Sequence, residues 1–156
     1  MPVSLPEQFD TFNEARKRGF LEVKKLKDSG KKICGAFCQY TPAEIIMAAG
    51  LYQVGLCGRS NDPIKTAETV LPANLCPLIK ASYGHVLEES CPYAFFSDVV
   101  VGETTCDGKK KMYELLGERK PMQVIHLPNH HSYERSKECG SPNCEGLPRA
   151  LRKSSM

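Results

Sequence analysis

From Leu5 to Asp28, the residues Phe9, Phe12, Phe20, Val23 and Leu26 fall on one helical stripe, bridged by the stem of Arg16, so the first element reads as an amphipathic helix. Gly30, in "DSGKK", can supply the left-handed residue that ends it. "KICGAF" has the character of a short buried strand. "YTPAEIIMAAG" reads as a helix with full end signals: Thr41 as cap, Pro42 at the first helical position, Glu44 closing a capping box, and Gly50 as stop. "LYQVGL" is a second strand, and a short helix is expected around Ile64 to Val70. "LCPLIKASYGHVLEES" makes a longer helix with Cys76 at its cap and Pro77 in its first turn, turning Leu78, Ile79, Ser82, Val86 and Leu87 inward. "FFSDVVVG", "DGKKKMYELLGE" and "MQVIHLP" then give strand, helix and strand. This alternation predicts an α/β fold, a Rossmann-like three-layer sandwich. Its sheet should be short, mostly parallel and four-stranded, with strands near Ile33, Val54, Val99 and Val124.

Composition narrows the classes of function. A chain of 156 residues, 41% hydrophobic and 25% charged, suits one globular domain. The net charge of +3, with no basic stripe interleaved with aromatics, argues against nucleic acid as a partner. The pattern contains no apolar run of membrane-spanning length, and "MPVSLPEQFD" lacks the regions of a secretory signal, so a cytoplasmic protein is expected.

Eight cysteines in such a chain point to metal ligation or buried thiols rather than to disulfide staples. In open parallel sheets the ligand crevice lies outside the carboxyl ends of the strands. Cys38, Cys57 and Cys106 each follow a predicted strand and should gather along that edge, while Cys76 and Cys91 bracket the long helix, each followed by proline. The spacing is not that of structural zinc, because Cys76, Cys91 and Cys106 stand far apart in the chain instead of in short knuckles. Cys34 and Cys57 read as core thiols.

The segments "GAFCQYTPAEIIMAAGLYQVGLCG", "LPANLCPLIKASYG", "CPYAFFSDVVVGETTCDGKKKMYELL" and "KPMQVIHLPN" resemble the 2-hydroxyacyl-CoA dehydratase family, in its cluster-carrying component. Within that family they most resemble the double-cubane-cluster anaerobic reductases. The resemblance runs from Phe9 to Asn129, an N-terminal half. It implies an iron–sulfur cluster of 4Fe-4S or double-cubane type, held by Cys76 and Cys106, with Cys91 marking the double-cubane branch. It further implies low-potential electron transfer to a substrate, either in 2-hydroxyacyl-CoA dehydration or in reduction of a small molecule. An ATP-hydrolysing activator protein would deliver the electrons, a second domain or partner subunit would complete the site, and acyl-CoA is a candidate substrate.

Three lysines in the first turns of the helix after Cys106 run against the helix dipole. Lys109, Lys110 and Lys111 are therefore candidates for holding an anion, either a cluster or a coenzyme A phosphate; the alternative is a solvated charge run. Glu103 is the candidate proton carrier beside the cluster, and Glu44 is better explained by capping. Residues 1–129 form the expected cluster-binding domain. Residues 130–156 carry no evident periodicity and few large apolar residues, and are expected to be an irregular tail, a truncation or reading-frame scar. His130, His131, Cys139 and Cys144 there could bind zinc. The chain alone is thus expected to fall short of a competent dehydratase or reductase, the alternative being a non-catalytic metal-binding or interaction module.

Overall fold

A computed structural model describes residues 6–38, 40–58, 60–128, 134 and 145–153. Four strands, β1 (Ile33–Phe37), β2 (Tyr52–Leu56), β3 (Val99–Glu103) and β4 (Met122–Ile125), form one sheet in the order β2-β1-β3-β4, with every pairing parallel. The helices are α1 (Glu7–Asp28), α2 (Ala43–Ala48), α3 (Ile64–Ala67), α4 (Pro77–Leu87), α5 (Pro92–Phe96) and α6 (Asp107–Gly117). The expected Rossmann-like sandwich is therefore the fold, for the reason read in the sequence: parallel neighbours need crossovers, and helices supply them. Among the described residues no helix is long and apolar enough to cross a membrane.

The two central strands are buried along their whole length, as a sheet covered on both faces requires. Phe37, Leu56 and Val100 meet Ile79, Tyr83, Met112 and Leu116 from α4 and α6 on one face. On the other, Cys34, Val99, Val101 and Ile125 meet Ile46 of α2 together with Leu147 and Leu151. Those two leucines correct the expectation of an irregular tail: residues 145–153 are helical, and both side chains are buried. Their spacing of four, in "GLPRALRK", puts them on one helical stripe too short to register as periodicity. Arg152 also donates from Nη2 to the Ala48 carbonyl at the end of α2, 3.5 Å away. The histidines and cysteines proposed for zinc in the tail lie outside the described residues.

Local expectations fared unevenly. Gly30 and Gly50 take left-handed backbone and end their helices. Thr41 and Glu44 do not form the predicted capping box, because the Thr41 hydroxyl instead donates back to the Phe37 carbonyl at 3.1 Å, tying the end of β1 to the turn before α2. Leu78, expected to face inward, is half exposed, and Phe9 and Phe12 stand exposed on α1, where Val23 is buried and Phe20 packs at a tilt against Tyr93. The helix α5 escaped the sequence reading because "PYAFF" is apolar throughout and too short for a period to show.

Candidate functional site

The carboxyl edge of the sheet gathers charge and sulfur. β1 is followed by Cys38, a non-glycine residue in left-handed backbone with φ of 69°. Its thiol is exposed and lies against the side chains of Glu103 and Lys109. Glu103, the last residue of β3, is fully buried; one carboxylate oxygen accepts the Thr105 N–H at 2.7 Å and the other accepts Lys109 Nζ at 2.9 Å. Burial alone would raise this carboxyl, but the hydrogen bonds from Thr105 and Lys109 prevail and hold it below the ordinary carboxylate range. Burial would likewise lower the Lys109 ammonium, and the Glu103 carboxylate with Cys38 beside it raises it instead. A carboxylate so anchored would have to break this ion pair to carry a proton, so its geometry is that of an electrostatic fixture at the strand end.

The three lysines of the run each pair with a carboxylate of the chain itself. Lys109 pairs with Glu103, Lys110 with Asp107 at 2.8 Å, and Lys111 with Glu114. The last two pairs are exposed and span one helical turn, which is what a solvated charge run does. Lys109 alone of the three lines the groove described below.

Cys76 and Cys106 occupy the N-cap positions of α4 and α6, as their flanking signals led one to expect. Neither side chain caps its own helix, so both thiols remain available. The two helix starts pack on each other: a Cβ on Gly108 would come within 2.8 Å of the Ile79 Cδ1 and 3.1 Å of the Leu75 Cδ1, so a larger residue there would have to push these side-chain ends aside. Buried Lys80 fixes the preceding loop, donating to Glu68 and to the Ala73 carbonyl, both at 2.6 Å. Tyr113, on the next turns of α6, buries its hydroxyl near the Glu103 backbone, Cys38 and Cys106 without a well-formed hydrogen bond among the described residues. Burial, with the Glu103 charge adding to it, pushes that phenol well above its ordinary range.

Cys91 is the N-cap of α5 and borders a small hollow shared with Cys57, Phe37 and His85. Among the described residues no three histidine, cysteine, aspartate or glutamate side chains gather closely enough to hold a metal ion, so Cys76, Cys91 and Cys106 do not form such a group by themselves. A groove of about 570 Å³ opens over the ends of β1 and β2, lined by Cys38, Cys57, Leu78, Ser82, Lys109 and Met112 among others. The Gln53 carbonyl oxygen on its wall is buried without a partner among the described residues. Sequence reasoning took Cys57 for core; the residue after it, Gly58, shows why it is not. The Gly58 N–H donates to Ser82 Oγ at 2.8 Å, and a Cβ there would meet the α4 backbone at 2.6 Å, so the chain turns onto α4 and leaves the Cys57 thiol exposed.

A parallel α/β domain with thiols at three helix starts, Cys76, Cys91 and Cys106, and just beyond two strand ends, Cys38 and Cys57, is a candidate sulfur-ligand domain of the doubly wound class. The chain belongs to the 2-hydroxyglutaryl-CoA dehydratase D-component family, whose model matches residues 38–147. It is 57% identical over 125 residues to "Putative dehydratase subunit YjiM" of Escherichia coli strain K12, covering 80% of this chain and 33% of that protein. It is 29% identical over 119 residues to the (R)-phenyllactyl-CoA dehydratase beta subunit of Clostridium sporogenes, covering 74% and 31%. To the lactoyl-CoA dehydratase subunit beta of Anaerotignum propionicum it is 27% identical over 112 residues, covering 71% and 29%. The chain thus spans about a third of the length of the curated relatives it matches.

Proposed function

We propose that this chain supplies cysteine ligands to an iron–sulfur cluster in a 2-hydroxyacyl-CoA dehydratase or a related reductase. Cys76 and Cys106 would hold the cluster, and Cys91 would join them in a double-cubane arrangement. The observation that carries this reading is the packing of α4 on α6, which sets two uncommitted thiols at two adjoining helix starts. The donor set fits the group: soft sulfur ligands suit iron–sulfur clusters, and the orphaned Tyr113 hydroxyl near Cys106 is a donor that an anionic group there would satisfy. When bound, the cluster would supply a low-potential electron. The chain's own residues orient the thiols through Lys80 and the Leu75–Gly108 contact, and keep the Glu103–Lys109 charges fixed beside them.

The remaining ligands would come from a second domain or a partner subunit, in keeping with relatives whose names make them dehydratase subunits. An ATP-hydrolysing activator would supply the electrons and an acyl-CoA would be the substrate. A second reading, a metal-binding module without turnover, draws on the missing third ligand among the described residues.

Anaerobic reconstitution of the chain with iron and sulfide, followed by visible absorption and electron paramagnetic resonance of the reduced protein, tests the ligand assignment. Cys76→Ala and Cys106→Ala are each expected to lower bound iron and sulfide at least about tenfold, consistent with loss of a metal ligand. Cys34→Ala, a change to a buried thiol on the opposite face of the sheet, should leave loading intact. Wild-type loading in the Cys76→Ala/Cys106→Ala double variant would overturn the assignment. Activator-dependent turnover with an acyl-CoA separates the enzyme component from the bare module.

A further inference from the structure

We propose that Cys38 and Cys57 form a redox-active dithiol that closes to a disulfide by exchange with a small-molecule disulfide. The two residues are 19 apart in sequence, and the sheet register brings them together. β1 and β2 run in parallel and end side by side at Phe37 and Leu56, and the residue that follows each strand is the cysteine. Adjacent strands lie roughly 4.8 Å apart at that last pair, so the two cysteines leave the sheet from neighbouring strand ends, and a disulfide between them needs α-carbons about 4.4–6.8 Å apart. Both thiols are exposed, and both line the same groove at the strand ends.

Three further features mark Cys38 as more than a surface residue. Its backbone is left-handed, a conformation that costs free energy at a β-carbon-bearing residue and persists where surrounding structure enforces it. Here the enforcement is visible, because the Thr41 hydroxyl holds the Phe37 carbonyl and so fixes the turn that follows. The thiol also lies beside the Lys109 ammonium, in a groove wide enough to admit a small disulfide. Cys57 is fixed in turn by the Gly58 contact with Ser82, so the partner sulfur is presented from a rigid turn.

In the exchange, the Cys38 sulfur attacks one sulfur of the incoming disulfide. An S–S bond forms to Cys38, the original S–S bond breaks, and one small thiol leaves. The Cys57 sulfur then attacks the Cys38 sulfur, forming the intramolecular bond and releasing the second small thiol. The protein loses two electrons and two thiol protons, and the small disulfide gains both as two thiols. Closure would draw Cys38 from its place against Lys109 and Glu103, coupling the redox state of the pair to the charges beside Cys106.

The full chain, reduced under anaerobic conditions and then treated with glutathione disulfide, should yield on non-reducing proteolysis a peptide pair joined through Cys38 and Cys57, with no glutathione retained. Cys57→Ser should trap the first step, leaving glutathione on Cys38, whereas Cys34→Ser should change neither product. Circular dichroism of each variant checks that the fold is kept. A Cys38–Cys57-linked pair that reverts with dithiothreitol supports the dithiol. Glutathione retained on wild-type Cys38, or a bridge from Cys38 to any cysteine other than Cys57, would overturn it.

Discussion

Glu103→Gln is expected to destabilise the domain by about 3 kcal/mol at neutral pH, the scale for breaking a buried ion pair by removing one partner. The glutamine can still accept the Thr105 N–H, but its other terminal atom cannot neutralise Lys109, which is left largely buried beside Cys38. The pH dependence separates this from a packing effect. The folded-state carboxyl of Glu103 lies below its ordinary value, so its contribution is fully present above the unfolded pKa of roughly 4 and is lost progressively below it, as the pH falls toward and through the lowered folded-state value. Asp98, which accepts from Lys27 and the Ile33 N–H at the other end of the sheet, titrates with the same sign and remains in the variant. The penalty of Glu103→Gln, measured by urea unfolding, should therefore shrink as the pH is lowered from neutral to about 3, while the residual acid sensitivity due to Asp98 persists. An equal penalty at both pH values would mean that the carboxylate charge is not what Lys109 answers to.

That result bears on how much of the site could be read from the sequence. The helix starts at Cys76 and Cys106 were legible because capping is local: Pro77 marks one, and the step from an apolar strand to "DGKKK" marks the other. The partner of Lys109 was not legible, because Glu103 reaches it across a strand end and a turn, a geometry that helical spacing does not encode. The solvated reading of Lys110 and Lys111 was already available from Asp107 and Glu114, each three residues away on the same helix. Cys38 and Cys57 required the register. Sequence order said only that each follows a strand, whereas their adjacency depends on β1 and β2 being direct neighbours paired without offset.

The helix at 145–153 leaves little trace in the sequence for a different physical reason. Two leucines carry its buried face, and the sheet supplies the other half of the packing, so the stretch shows little amphipathic signal of its own. Leu151→Ala should consequently cost about 3 kcal/mol, within the range of roughly 2–5 for a buried leucine truncated to alanine. For a domain of this size that corresponds to a fall in melting temperature of roughly 6–12 °C. The side chain is fully buried against Val99, Val101 and Ile125, and these strands offer a rigid wall that cannot close over the lost volume. Lys153→Ala, two residues on and exposed, should shift stability by no more than about 0.5 kcal/mol. If the helix packs as described, amide exchange in β3 and β4 should also accelerate in Leu151→Ala, because the face that they share with residues 145–153 loosens before the face that carries Cys76 and Cys106. Equal, near-neutral effects of the two substitutions, with exchange unchanged, would show that the segment does not cover the sheet, and that the second face is completed by something other than this part of the chain.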